Sequence, residues 1–256
     1  SHYRLLPFIQ TADLAGVYGP GVVILVGNAV VLEAFRSLVR WRQRWPWKGA
    51  FLLLALVAGS LGYGFWRLGQ VEEAPTQGEL NLTVVQAAVT VEERHDKSVE
   101  GRDKILTRYE EMTVEAAEAG ADLIVWPEGA MAYPFHLRGL SDPPPTPEAR
   151  QQPPWRFSER LRTLARSVQT PLVVGGQRRR DNKGHNTAVV FDDWGRVAGH
   201  YDKVKLLAFG EYIPLRNVFP ALRKVIRGAS NFFPGEPKPD MEIAGWRTTL
   251  LICYEA

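Results

Sequence analysis

One cysteine, Cys253, is present among 256 residues. A lone thiol excludes an intrachain disulfide, so either its packing or its chemistry must account for it. The chain also lacks any large excess of charge, with a net +3. No basic stripe or nucleic-acid motif is present, which argues against DNA or RNA as a partner. Charge is missing altogether from residues 14–32 and from residues 49–66. Each uncharged run, at about 18 to 20 residues, is long enough to cross the hydrocarbon core of a bilayer as a helix. Neither resembles a removable signal peptide, because no small-residue cleavage site follows a basic start.

Membrane spans are therefore expected at about 14–35 and 49–66, within a membrane region covering residues 1–66. The other reading, two buried helices of a soluble protein, fits less well with the tryptophans and cations at the ends of the runs. Residues 36–48 carry five cations and no acid, together with Trp41, Trp45 and Trp47. Under the positive-inside rule this short loop is cytoplasmic, and everything after Trp66 emerges on the extracytoplasmic face. A polar linker is expected over 67–79 and an α/β domain over 80–256. The chain opens on Ser1 and stops three residues past Cys253. It reads as an internal fragment of a longer protein, with the domain truncated at its C-terminal end.

Within 80–256 the period of the apolar residues alternates between strand-like and helix-like. Residues 82–89 are rich in β-branched side chains and read as a buried strand. Residues 103–119 place Leu106, Tyr109, Met112 or Thr113, and Ala116 on one helical stripe that Gly120 stops. A second strand, 122–126, runs into Pro127 and Glu128. A proline-rich loop over 142–147 leads to a helix with Leu161, Leu164, Ala165 and Val168, and then to a strand at 171–175. Strands at 186–191 and 195–201 flank Asp192-Asp193-Trp194-Gly195, a hairpin turn signal. This alternation argues for α/β layers rather than an all-β sandwich.

Three reactive side chains fall at or just past the ends of these strands: Glu128, Lys203 and Cys253, the last closing the apolar run 249–253. By type alone each has a bland explanation, since a free cysteine is usually core and an isolated Glu or Lys usually a surface charge. Together they make coherent chemistry. A carboxylate can take the thiol proton, the thiolate can attack a carbonyl, and an ammonium can hold the resulting oxyanion.

The motifs that carry these residues are Trp126-Pro127-Glu128, the block from Tyr201-Asp202-Lys203 to Phe209-Gly210-Glu211-Tyr212-Ile213-Pro214, and Leu251-Ile252-Cys253-Tyr254-Glu255. In that order they resemble the carbon-nitrogen hydrolase (nitrilase) superfamily. With two preceding spans and the N-terminal segment 6–19, the chain is similar to its apolipoprotein N-acyltransferase branch. The resemblance implies an αββα sandwich with Glu128 as general base, Lys203 as catalytic lysine and Cys253 as nucleophile. Glu211, Tyr254 and Glu255 match supporting residues, and the Tyr254 N–H is placed to help hold an oxyanion. The implied reaction moves a fatty acyl group from a membrane phospholipid, through a cysteine thioester, to the N-terminal amine of a diacylglyceryl-cysteine apolipoprotein. It implies no metal or organic cofactor, and a location in the bacterial inner membrane with the catalytic domain on the periplasmic side. The basic, apolar segment 214–227, with Phe232 and Phe233, suits either a lipid surface or an ordinary amphipathic helix.

The chain departs from the family pattern in four places. Val85-Gln86-Ala87-Ala88 stands where relatives have Val-Gln-Gly-Asn, and His95 lies about where they have tryptophan. Ala208 replaces a proline, and Gly129 stands where Thr or Ser is frequent. None of these touches the trio. A membrane-tethered amidase would use the same three residues with water as the acceptor, and a non-catalytic membrane-anchored binding module would use them only as a core thiol and an ion pair.

Overall fold

The two uncharged runs fold as long helices. The computed structural model describes residues 4–16, 18–39, 45–73, 78–135, 137, 146–180, 183–214, 231–237 and 240–255. The chain divides into two compact units, Ser1–Glu79 and Leu80–Ala256. In the first, two short helices, α1 (Leu6–Ile9) and α2 (Ala12–Ala15), precede α3 (Tyr18–Val39) and α4 (Trp47–Glu72). Helices α3 and α4 are both long and apolar enough to cross a membrane. Their large side chains lie open, with Leu25 69% and Phe51 74% exposed. Apolar faces of that kind are rarely left bare by a soluble monomer.

Small residues bring the helices of this unit together. Gly27 of α3 faces Leu53, and Gly49 of α4 faces Val30. At Gly64 the fit is closer, since a Cβ there would lie 1.7 Å from the carbonyl oxygen of Pro7. Asp13 then ties α2 to α4 by accepting from Tyr63 Oη at 2.8 Å and from Arg67 Nε at 2.9 Å. Helix α4 runs on to Glu72, so residues 67–72 of the expected linker are helical. Of the rest of that linker, residues 74–77 lie outside the described residues. So do residues 40–44 of the cationic loop, 142–145 of the proline-rich stretch and 215–227 of the basic segment.

The second unit is a mixed α/β layer structure. Its elements are β1 (Leu82–Val84), α5 (Val91–His95), α6 (Val99–Glu118), β2 (Leu123–Trp126), α7 (Pro147–Gln151), α8 (Pro153–Val168), β3 (Leu172–Arg180), β4 (Lys183–Phe191), β5 (Val197–Asp202), β6 (Met241–Ile243) and β7 (Trp246–Thr248). Strands β1 to β5 form one sheet in that spatial order. The first three run parallel, while β4 and β5 turn back antiparallel. Strands β6 and β7 form a separate two-stranded sheet.

Alternation along the strands builds two cores. Ile124, Trp126, Leu172, Val174 and Val189 face α6 and α8, where they meet Leu106, Tyr109, Leu161 and Ala165. Trp126 stacks on Tyr109 with ring centroids 4.6 Å apart and donates its indole N–H to Thr113 Oγ1 at 2.9 Å. The opposite face, Leu123, Val173, Ala188 and Val190, packs with Tyr201, Ile243 and Ile252. Helices, main sheet and the small second sheet are thus three successive layers among the described residues.

The 192–195 turn forms as its sequence indicates. Asp192 Oδ1 accepts from the N–H groups of Trp194 and Arg196, and Gly195 takes φ 73. The apolar run before Cys253 does not form the expected strand. Residues 249–252 are irregular, and Cys253–Glu255 is a 3-10 turn that opens with Cys253 at φ 57. A left-handed residue cannot continue a pleated strand, so the thiol leaves the run on a turn rather than on a sheet edge.

Candidate active site

The sheet topology gathers the candidate residues at one end. Strand β2 runs parallel to β3, so Glu128, two residues past β2, emerges where β3 carries on toward its own C-terminal end. Strand β4 starts from that end antiparallel, with Asn186 opposite Gln177, and β5 returns to it with Asp202 opposite Thr187. Lys203 follows directly. In open α/β sheets, ligand chemistry is assembled outside the carboxyl ends of the parallel strands.

Close backbone packing fixes Glu128. A Cβ on Gly175 of β3 would lie 2.4 Å from the Pro127 carbonyl oxygen and 2.7 Å from the Glu128 Cα. The bare glycine lets the Glu128 segment lie against the sheet. Gly129 then turns the chain at φ 69, and the Met131 N–H returns to the Gly175 carbonyl at 3.0 Å. The Glu128 side chain stays 40% exposed.

Lys203 is 1% exposed and held through its main chain on both sides. Its N–H donates to the Asn186 carbonyl at 2.9 Å, and its carbonyl accepts from the Gly235 N–H at 2.8 Å. Its ammonium lies 2.9 Å from Glu211 Oε2 and 3.8 Å from Glu128 Oε1. Burial alone pushes the lysine pKa down, but the Glu211 hydrogen bond, the charges of Glu211 and Glu128, and the nearby Cys253 outweigh it and raise it. Burial pushes the Glu211 carboxyl up, yet donation from the Leu207 N–H, Lys203 and Asn186 leaves it below the usual range.

Asn186 links the two carboxylates. Its Nδ2 donates to Glu128 Oε1 at 2.5 Å and to Glu211 Oε1 at 2.7 Å. From sequence alone this residue looks like the opening of an ordinary strand. The available signal was an asparagine within a β-branched run, where that residue is disfavoured unless its amide finds partners. Behind the site, Asp202 accepts from Thr187 Oγ1 at 2.7 Å and from Arg178 Nε at 2.7 Å, anchoring the residue just before Lys203.

Cys253 is exposed. Its turn is tied to the Lys203 segment by Glu255, whose Oε1 accepts from the N–H groups of Val204 and Lys205 at 2.7 and 2.8 Å. The other oxygen accepts from Tyr201 Oη at 3.0 Å and from the Ile252 N–H at 3.1 Å. One carboxylate thereby fastens the thiol's turn to the strand end bearing the lysine. The Tyr254 side chain, 74% exposed, makes no comparable tie among the described residues. Glu128, Asn186, Lys203 and Glu211 thus form one bonded cluster, with Cys253 held beside it through Glu255 and Tyr254 outside the bonding.

The carbon-nitrogen hydrolase family model matches residues 81–256. The chain belongs to the carbon-nitrogen hydrolase family. Its second unit is accordingly a nitrilase-like α/β fold with a mixed sheet. Among curated relatives, the chain is 32% identical to an apolipoprotein N-acyltransferase of Geobacter metallireducens, over 100% of this chain and 46% of that protein. It is 29% identical to one of Rhizobium meliloti, over 99% of this chain and 46% of that protein. The chain thus spans about half the length of the curated relatives it matches. A solved carbon-nitrogen hydrolase from Helicobacter pylori aligns over 68% of this chain and 51% of its own, with 18% identity and a TM-score of 0.45.

Proposed function

We propose that this chain is part of an apolipoprotein N-acyltransferase that uses Glu128, Lys203 and Cys253 to move a fatty acyl group from a phospholipid onto a lipoprotein's N-terminal amine. The observation that carries this reading is the division of contacts within the cluster. Lys203 pairs with Glu211 at 2.9 Å and stands farther from Glu128, at 3.8 Å. With Glu211 neutralising the lysine, Glu128 is left to work as a base.

In the first half-reaction a Glu128 oxygen takes the Sγ proton, and the thiolate attacks the ester carbonyl carbon of the donor. The electron pair moves onto the carbonyl oxygen, where the Lys203 ammonium and the Tyr254 N–H receive it. Collapse breaks the ester C–O bond, and the departing lysophospholipid oxygen takes the proton from Glu128, leaving an acyl thioester on Cys253. In the second half-reaction the α-amine of a diacylglyceryl-cysteine attacks the thioester. Glu128 accepts the amine proton, the C–S bond breaks, and Glu128 passes that proton to the departing sulfur, which restores both the thiol and the carboxylate. The whole-chain similarity to apolipoprotein N-acyltransferases supports an amine rather than water as acceptor, as do two helices able to cross a membrane on the same chain. The cationic residues between those helices support a cytoplasmic loop, and hence a catalytic domain on the extracytoplasmic face of the inner membrane.

The test uses the full-length protein in a strain depleted of its own activity. Mass spectrometry of a lipoprotein's N-terminal peptide should show an acylated amine with the wild-type protein and a free amine with Cys253→Ser. Equal acylation in both would sink the assignment. Labelled phospholipid that yields a Cys253 thioester but only free fatty acid in the presence of the lipoprotein would identify the amidase reading instead.

A further inference from the structure

Two carboxylates, Glu128 and Glu211, approach one lysine, and their oxygens must be held in distinct orientations for their roles to stay separate. Asn186 is the only neutral donor that reaches both carboxylates among the described residues, and it is 5% exposed.

We infer that Asn186 is the positioning residue that sets Glu128 up as the base, by donating one amide hydrogen to Oε1 of Glu128 and the other to Oε1 of Glu211. This rests on the assignment of Glu128 as base. Each amide hydrogen holds the carboxylate oxygen it meets in one orientation. Because Nδ2 has only two hydrogens, both are spent within the cluster. Glu128 Oε1 is thereby occupied by Asn186 at 2.5 Å and faces Lys203 at 3.8 Å. Glu128 Oε2 has no protein partner among the described residues and is the oxygen left to take the thiol proton. Glu211 has no such free oxygen, since Oε2 holds both Lys203 and the Leu207 N–H.

The charged groups around the amide are Glu128 from the segment after β2 and Lys203 and Glu211 from the segment after β5, and Cys253 of the 3-10 turn lies near enough to Lys203 to act on it. Tyr201 and Glu255, bonded to each other, lie beside that turn. His185 and Thr187, the strand neighbours of Asn186, alternate to the opposite face, where Thr187 meets Asp202. The main chain of Asn186 also positions Lys203, through its carbonyl. A side-chain substitution leaves that bond available.

The experiment follows the pH dependence of Cys253 alkylation by iodoacetamide, read by peptide mass spectrometry, and of acyl transfer, in the full-length protein in detergent. It compares wild type, Asn186→Asp, Asn186→Ala and Glu128→Gln. Asn186→Asp keeps the side chain's shape, and Asn186→Ala covers the case in which a third acid prevents folding. In both, the acidic limb should differ from that of wild type, with kcat lowered about tenfold or more by a misplaced base and KM changed less than about twofold. Melting temperatures near wild type would exclude a general structural effect. If both Asn186 variants keep the wild-type limb while Glu128→Gln loses it, the role given to Asn186 is wrong and the base assignment stands. If Glu128→Gln also keeps the wild-type limb, the base assignment itself fails, and this inference with it.

Discussion

Lys203 and Cys253 stand beside one another in the site yet are held by opposite means. The lysine is 1% exposed, bonded through both main-chain groups, and its ammonium is enclosed by carboxylates. The cysteine is exposed, lies on a left-handed residue, and depends on Glu255 for its attachment to the rest of the cluster. The charged side of the site is thus part of the core, and the thiol is presented from a turn. In the proposed reaction, fixed charge stabilises the transition state without reorganising, whereas the nucleophile must remain reachable by a bulky substrate.

That contrast predicts equal kinetic damage with unequal structural damage. Cys253→Ala and Lys203→Met should both reduce acyl transfer by more than about a thousandfold, as losses of members of one catalytic unit do. Only Lys203→Met should destabilise the fold strongly, by about 3 kcal/mol, because it leaves the largely buried Glu211 carboxylate uncompensated. Denaturant unfolding of the two variants side by side measures this. Equal stability would show that the lysine is no more embedded than the thiol.

Gly175→Ala tests how Glu128 is placed. Its Cβ would press on the Pro127 carbonyl oxygen from 2.4 Å, so the segment must shift. We expect a loss of about 1–3 kcal/mol from overpacking and roughly a hundredfold fall in kcat from a displaced base. Unchanged kcat in a folded variant would mean that Glu128 is not held from behind.

The smallest effect concerns the tether. Burial and the hydrogen bond to Glu255 raise the Tyr201 hydroxyl from 10.0 to about 12. A raised folded-state pKa contributes stability that is complete below the unfolded value and lost as pH rises through the folded one. Stability should therefore decline between about pH 10 and 12, and Tyr201→Phe should flatten part of that decline. The remainder belongs to Lys203, also raised, which loses its contribution at high pH in the same sense. A stability profile identical in wild type and Tyr201→Phe would place the tyrosine outside the tether's energetics.

Much of the second unit was legible because its signals are local. The stripe of Leu106, Tyr109 and Ala116 marks α6, and the Asp192–Gly195 turn marks the β4–β5 hairpin, although α6 begins at Val99, where Ser98 caps the Gly101 N–H. Motifs single out Glu128, Lys203 and Cys253, and the structure brings the first two within 3.8 Å of each other. The bond from Asn186 to residues 58 and 25 positions away depends on strand pairing, which no local pattern records. The same holds for the turn at Cys253. An apolar run reads as strand, but a carboxylate fastened to the main chain of Val204 and Lys205 bends it away. In the first unit, hydropathy marks both long helices but not the contact at Gly64, which depends on where Pro7 comes to rest.

The left-handed backbone at Cys253, φ 57, sets a conflict between endurance and use. A side chain in that conformation costs about 1 kcal/mol or more relative to glycine. Cys253→Gly should accordingly give a more stable protein that is inert in the proposed reaction. A screen for stability alone would discard the thiol, whereas selection for that reaction would keep it.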